Sequence, residues 1–295
     1  MEMKKFRYLT EFLFAFIFLK FLQLLPLKTS SNIGGFLGKN LLFIAGFFTG
    51  DNKKGLRQIG IVFSEMTESE KLKILKKSYS NIGRFVAEYI NQQKMNERWF
   101  KENVAIENGE YFLEMAQKGA FMMTAHFGNW EIAQRFLVLH KMDLNVIYNP
   151  ITNNYINSLY LKQRSITQLP KGTNAMKQLI ELIKEKKNIG VVADQRDKAG
   201  EIMKFFNHDA RTSTAIQRLA VKYDYPIFAV KCERRKDDEN KFVMTIYKMF
   251  ETQEKLPEKA IKDLTAQNLA LTEKWIRASP ENWLLWFYSR WRIHF

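Results

Sequence analysis

The chain has 295 residues, enough for one large domain or two small ones at the usual ~100–200 residues each. With 46% hydrophobic and 26% charged residues, it has the composition of a globular fold with a sizeable core, which excludes a disordered chain. Lys and Arg total 46 against 31 Asp and Glu, a formal charge of +15. Such an excess favours an anionic partner: nucleic acid, an acidic membrane leaflet, or a phosphorylated or acidic carrier substrate.

The first predicted element is apolar. Residues 8–25, YLTEFLFAFIFLKFLQLL, are broken only by Thr10, Glu11, Lys20 and Gln23, and Pro26 stops the run. It falls just short of the ~20 residues a helix needs to cross a hydrocarbon core. LPLKTSS offers no small-x-small cleavage site, which speaks against a signal peptide. Phe12, Phe14, Phe16, Phe18 and Phe21 cover every face, so a soluble core helix would need burial on all sides. A tilted spanning helix, or one lying in the interface with Lys20 snorkelling, fits best. A second apolar stretch, 33–48, is interrupted by glycines and Lys39 and reads as a helix lying on the membrane face. Lys28, Lys39, Lys53, Lys54 and Arg57 would then sit near anionic head groups.

A helix is predicted from Thr67 to Gln92, opened by Thr67-Glu-Ser-Glu70 and carried by Leu72, Ile74, Leu75 and Tyr79. Beyond residue 103, short apolar runs alternate with amphipathic stretches. Strands are expected at 103–106, 120–125, 144–148, 188–193, 226–232 and 241–247. Helices are expected at 109–118, 130–140, 153–164, 174–186, 213–223 and 258–278. That alternation predicts an α/β fold with a sheet flanked by helices. No strong linker divides it, so residues 1–60 read as a membrane-anchoring helical segment and 61–295 as one catalytic domain. The single cysteine, Cys232, excludes an intrachain disulfide, and no Cys/His cluster is available for a structural metal. It lies in the apolar run from Pro226 and reads as a buried strand thiol.

The sharpest motif is Ala120-Phe-Met-Met-Thr-Ala-His126-Phe-Gly-Asn-Trp-Glu131. An apolar strand ends at Ala125 and a helix begins near Trp130, with Asn129 placed to cap it. His126 therefore falls at the carboxyl end of a strand, where α/β sheets place their active sites. Gly128 permits a tight turn, and Glu131 sits in the first helical turn, where the dipole favours its ionised form. A neutral imidazole takes a proton from an alcohol, and a neighbouring carboxylate fixes its tautomer. On this reading His126 is the base and Glu131 its orienting carboxylate. The spacing is not that of a helical HExxH zinc site.

HFGNWE closely resembles the corresponding motif of the lipid A late acyltransferases, the lauroyl/myristoyl transferases of Gram-negative envelopes. Further segments agree in order: Arg164 after Val146-Ile-Tyr-Asn-Pro150, Val192-Ala-Asp194-Gln195, Phe205-Phe206 through Thr212 to Leu219-Ala220, and Pro280-Glu-Asn-Trp283-Leu-Leu-Trp286 with Arg290-Trp291. Asn207, Asp209 and Asn149 depart from that family's usual Gly, Pro and Arg. The related glycerolipid acyltransferases carry His-x4-Asp and a later EGTR-type block, neither of which is present.

The resemblance implies a glycerolipid-acyltransferase-like mixed sheet with an N-terminal hydrophobic membrane helix, on the cytoplasmic side of the inner membrane. It implies an acyl carrier protein thioester as donor and a free hydroxyl of a phosphorylated, Kdo-bearing lipid A precursor as acceptor. No metal and no cofactor are expected. Arg164 is assigned to oxyanion or phosphate contact, Asn129, Asp194 and Gln195 to ordering or contacting the substrate. Two alternatives stand beside this: a non-catalytic membrane-tethered lipid-binding protein, or an acyltransferase for another glycolipid or glycerolipid. A nucleic-acid partner is not expected, because the basic residues form no base-reading motif.

Overall fold

The computed structural model describes residues 2–172, 174–251 and 259–291. Its centre is a seven-stranded sheet. In chain order the strands are β1 (Val104–Glu107), β2 (Phe121–Thr124), β3 (Asn145–Tyr148), β4 (Thr167–Pro170), β5 (Ile189–Val192), β8 (Ile227–Arg234) and β9 (Phe242–Phe250). Across the sheet the order is β1-β9-β8-β2-β5-β3-β4. The five strands from β8 to β4 are mutually parallel, and β9 and β1 run the opposite way, so the sheet is mixed. β2 lies inside the sheet with all four residues buried. This accounts for its unbroken apolar run, since a parallel strand covered on both faces has no polar side to show.

Helices α7 (Gly109–Lys118), α8 (Glu131–Leu139), α9 (Asn154–Lys162), α10 (Ala175–Lys184), α11 (Ala215–Tyr223) and α12 (Lys259–Ala278) fall where helices were expected, to within a few residues. Phe112, Ile132 and Phe136 from α7 and α8 pack on one part of the sheet. Leu179, Ile183, Ile216 and Leu219 from α10 and α11 pack on another. Three strands were not expected. β4, Thr-Gln-Leu-Pro, is a partly exposed edge strand whose Pro170 lacks a ladder donor. β6 (Glu201–Phe205) and β7 (His208–Thr212) form a separate antiparallel hairpin. Its turn residues Phe206 and Asn207 have φ of 50° and 60°, as a type I′ turn requires.

The chain begins with α1 (Glu2–Leu24), which ends before Pro26. Lys94 Nζ donates to the carbonyls of Gln23 and Leu25, at 2.7 and 2.6 Å, at the carboxyl end of α1. α2 (Leu27–Leu37), a π turn at Gly38–Leu42 and α3 (Phe43–Thr49) follow, then α4 (Asp51–Val62). α5 (Glu68–Tyr89) starts with a capping box between Thr67 and Glu70, and a short α6 (Glu97–Asn103) leads into β1. The glycines of 33–48 have a structural use: Gly34 and Gly38 are buried against α5, so closely that a Cβ on Gly83 would overlap the Gly34 carbonyl. Apart from Phe43, which is buried, most large side chains of the same stretch point the other way. Phe36, Leu41, Ile44, Phe47 and Phe48 are exposed, Phe48 by 88%, and so are Phe6, Phe14, Ile17, Phe21 and Leu24 of α1. Among the described residues no single helix is long and apolar enough to cross a membrane. α1 alone does not meet that criterion, with Glu11 and Lys20 inside its apolar run; the other form expected for 8–25, a helix lying in the interface, asks for no such span. A bent pair, Leu27–Thr49 with Asp51–Val62 at 96°, passes by length and composition.

Candidate functional site

The register of β2 on β5 builds the site. Thr124 pairs with Val192, and Ala193 N–H donates to the Thr124 carbonyl at 2.8 Å. Parallel neighbours lie ~4.8 Å apart, so the residues two positions beyond this pair, His126 and Asp194, emerge side by side. His126 Nδ1 is 2.7 Å from Asp194 Oδ1. The His126 backbone N–H donates to Asp194 Oδ2 at 2.9 Å, and Trp283 Nε1–H donates to the same oxygen at 2.9 Å. The carboxylate is 0% exposed, whereas the imidazole side chain keeps 19% of its surface open. Burial alone pushes the Asp194 carboxyl upward; His126 and the donated hydrogen bonds outweigh it and hold the group below its ordinary value.

An ionised Asp194 only accepts, so it calls for the proton on Nδ1 and leaves the lone pair on Nε2. No described residue bonds Nε2. The ring lies edge-on to Trp130, with centroids 4.9 Å apart and planes at 70°.

The loop that carries His126 is held on both sides. Leu284 N–H donates to the His126 carbonyl at 2.8 Å, Gly128 N–H to the Asn282 carbonyl at 2.8 Å and Asn129 N–H to the Cys232 carbonyl at 3.1 Å. Gly128 has φ of 59°, and a Cβ there would overlap the Cys232 carbonyl oxygen, so both conformation and space demand glycine. Cys232 itself is a buried strand thiol, as expected, pushed up to about 12 by burial and thus not a nucleophile.

The expected pairing of His126 with Glu131 needs correction. Glu131 is buried in the first turn of α8 and its carboxylate is taken by the Arg164 guanidinium, with Nε donating to Oε2 at 3.2 Å and Nη2 donating to Oε1. Arg164 in turn stacks over Tyr160 and Tyr89, 4.8 and 5.6 Å from their centroids. Burial pushes the Tyr160 hydroxyl up to about 12. Burial works against the Arg164 charge, but Glu131 overrides it and the guanidinium stays firmly protonated. The side chain of Arg164 is 4% exposed and its Nε and Nη2 are spent on Glu131, while Nη1 is buried with no hydrogen-bond partner among the described residues. Asn129 is fully buried, and its side-chain amide is spent on Glu88 and Glu131. Its Oδ1 accepts from Glu131 N–H at 3.1 Å, but the N-cap of α8 is Trp130, so the cap expected of Asn129 falls one residue off. Gln195, next to Asp194, is partly exposed and accepts from Asn149 Nδ2 at 3.4 Å.

The remaining motifs close round the back of Asp194. Phe205, Trp283, Trp286 and Trp291 are buried together. Arg290, wholly buried, donates to the Arg211 carbonyl at 2.9 Å and to Thr212 Oγ1 at 2.8 Å. Burial pushes its guanidinium down to about 10, an effect that the Asp194 charge partly offsets. The departing residues Asn207 and Asp209 lie on the exposed hairpin, where Asp209 pairs with Lys204 at 2.7 Å. Sequence reasoning missed Trp283 as a donor to Asp194 and missed Glu88 and Arg234, which lie behind the loop. A cavity of about 530 Å³, lined by Lys118, Lys184, Tyr223 and Tyr225, lies at the opposite, amino-terminal end of β2 and is remote from this chemistry.

The mixed sheet thus sets a solvent-reaching imidazole on a buried carboxylate, an arrangement that can take a proton from a nucleophile. Comparison with known families makes this specific. The chain belongs to the bacterial lipid A biosynthesis acyltransferases, whose family model matches residues 1–293. No curated protein matches it.

Proposed function

We propose that this acyltransferase moves a fatty acyl chain from a thioester on acyl carrier protein to a free hydroxyl of a hydroxyacyl chain on a phosphorylated lipid A precursor, a late acylation. The observation that carries the reading is the 2.7 Å contact between His126 Nδ1 and Asp194 Oδ1, which leaves Nε2 open to an incoming alcohol. In the proposed step Nε2 takes the hydroxyl proton as the acceptor oxygen attacks the thioester carbonyl. The C–O bond forms, the C–S bond breaks, and the imidazolium returns its proton to the departing thiolate. Asp194 stabilises the imidazolium in between. Glu131 and Arg164 act as scaffold for the first turn of α8, and Gln195 with Asn149 offers polar contacts to the sugar.

The exposed phenylalanines of α1, α2 and α3 support attachment to the cytoplasmic face of the inner membrane, with Lys28, Lys39, Lys53 and Lys54 exposed beside them. Each such cation adds ~1 kcal/mol near an anionic surface. The +15 charge steers two acidic partners, carrier protein and phosphorylated lipid, toward the site. The test is acyl transfer by the purified protein from dodecanoyl-acyl carrier protein to a lipid A precursor in mixed micelles, read by mass spectrometry. The proposal expects a mass gain of one acyl chain; no transfer would favour the non-catalytic lipid-binding reading.

A further inference from the structure

We propose that Glu88, on the last turn of α5, is a positioning residue for the His126 loop: it fixes which way round the Asn129 amide faces, and through it the start of α8. This rests on the acyl-transfer reading above. Glu88 is buried, and its carboxylate accepts four hydrogen bonds. Ser31 Oγ donates to Oε1 at 2.6 Å, Arg234 donates to Oε1 and Oε2 at 2.7 Å each, and Asn129 Nδ2 donates to Oε2 at 2.7 Å. An ionised carboxylate has about four acceptor sites and no donor, so every site is used.

The polarity of the chain of contacts then follows. Because Glu88 only accepts, Asn129 must present its NH2 to it. The Asn129 carbonyl is therefore turned toward α8, where it accepts from Glu131 N–H at 3.1 Å. Glu131 in turn holds Arg164. On the other side Arg84 donates to Ser31 Oγ at 3.3 Å, and Ser31 donates to Glu88. One directed network thus joins α2, which carries the exposed Phe36, to the turn carrying the proposed base. Two buried cations, Arg234 directly and Arg84 through Ser31, converge on this carboxylate. The pairing of Glu88 with Arg234 explains how the charges are tolerated; it does not explain why Oε2, already paired with Arg234, also accepts from a neutral amide three residues beyond His126. Orientation of that amide explains it.

Glu88→Gln keeps the shape and removes the constraint. The amide so introduced can donate to Asn129, which then flips, presents its own NH2 to Glu131 N–H and loses that hydrogen bond. Adding Asn129→Asp restores the polarity, because a carboxylate at position 129 accepts both from the amide introduced at position 88 and from Glu131 N–H. The experiment measures kcat and KM for dodecanoyl-acyl carrier protein, with melting curves, for wild type, Glu88→Gln, the Glu88→Gln/Asn129→Asp double variant and, alongside, Asp194→Asn. The proposal expects Glu88→Gln to lower kcat at least tenfold with KM within about threefold and a cooperative melt, and the double variant to recover most of that loss. A kcat within threefold of wild type in Glu88→Gln, a loss confined to KM, or no recovery in the double variant overturns it. If Glu88→Gln alone does not fold, the double variant decides: kcat within tenfold of wild type supports the proposal, and an inactive or unfolded double variant overturns it. Loss in Asp194→Asn with Glu88→Gln unaffected sinks this inference alone; an active Asp194→Asn sinks the acid–base reading on which it rests.

Discussion

Asp194→Asn probes the site with the least disturbance. The wild-type carboxylate spends Oδ2 on two donors, His126 N–H and Trp283 Nε1–H, and Oδ1 on His126 Nδ1. An asparagine keeps both donors on Oδ2 only if its carbonyl takes that place, which puts NH2 against Nδ1. The imidazole must then accept at Nδ1 and carry its proton on Nε2, the tautomer that cannot act as base toward an alcohol. The fold is spared, because two of the three hydrogen bonds survive. The reaction is not: the wrong tautomer and the loss of the charge opposite the imidazolium together cost about 10³–10⁴ in kcat, by analogy with triads in which the same exchange was made. That corresponds to roughly 4–5.5 kcal/mol of barrier at 1.36 kcal/mol per tenfold. The assay is single-turnover transfer from dodecanoyl-acyl carrier protein at saturating donor, with melting temperature as a control on folding. A folded Asp194→Asn enzyme within tenfold of wild type would refute the assignment of Asp194 as the orienting group.

The other predictions test the scaffold and the surface. Arg164→Ala leaves Glu131 buried without its partner, and breaking such a pair typically costs about 3–5 kcal/mol; denaturant unfolding within 1 kcal/mol of wild type would show the pair to be unimportant. Because the Asp194 carboxyl is held below its ordinary value, it favours the folded state at pH above the unfolded value of ~3.9, and that contribution is lost as pH falls through the lower, folded value. The difference in unfolding free energy between wild type and Asp194→Asn should therefore be flat from neutral pH down to about 5 and shrink below about 4; a difference that persists unchanged into strong acid contradicts the sign. Phe47→Asp with Phe48→Asp removes two exposed rings, each contributing up to ~1.5–3 kcal/mol if buried in lipid. Co-sedimentation with anionic vesicles should weaken at least tenfold, and unchanged pelleting would move the contact elsewhere.

Much of the sheet was legible because its buried strands are short apolar runs between amphipathic helices; β2 and β8 announce themselves by composition. β4 and the β6–β7 hairpin were not, since Thr-Gln-Leu-Pro and the largely exposed residues around Phe206-Asn207 carry neither alternation nor an apolar run. His126 stood out from its place at a strand end. Its partner did not, because Glu131 is the nearer carboxylate in sequence whereas Asp194 becomes a neighbour only through the lateral pairing of β2 with β5, a register that no local pattern encodes. The same holds for Glu88, which looks like any acidic residue of an amphipathic helix until Arg234 and Asn129 are folded onto it. The apolar start of the chain was recognised, but the glycines that read as interruptions of a span are the surface on which α2 meets α5.

In the proposed reaction the imidazole of His126 removes the acceptor's proton. Turnover of His126→Ala in the same acyl-transfer assay measures this most directly. A folded protein whose kcat is lowered by about 10²–10⁴, the usual share of a positioned base, is expected; near-normal turnover by that variant would exclude His126 as the base.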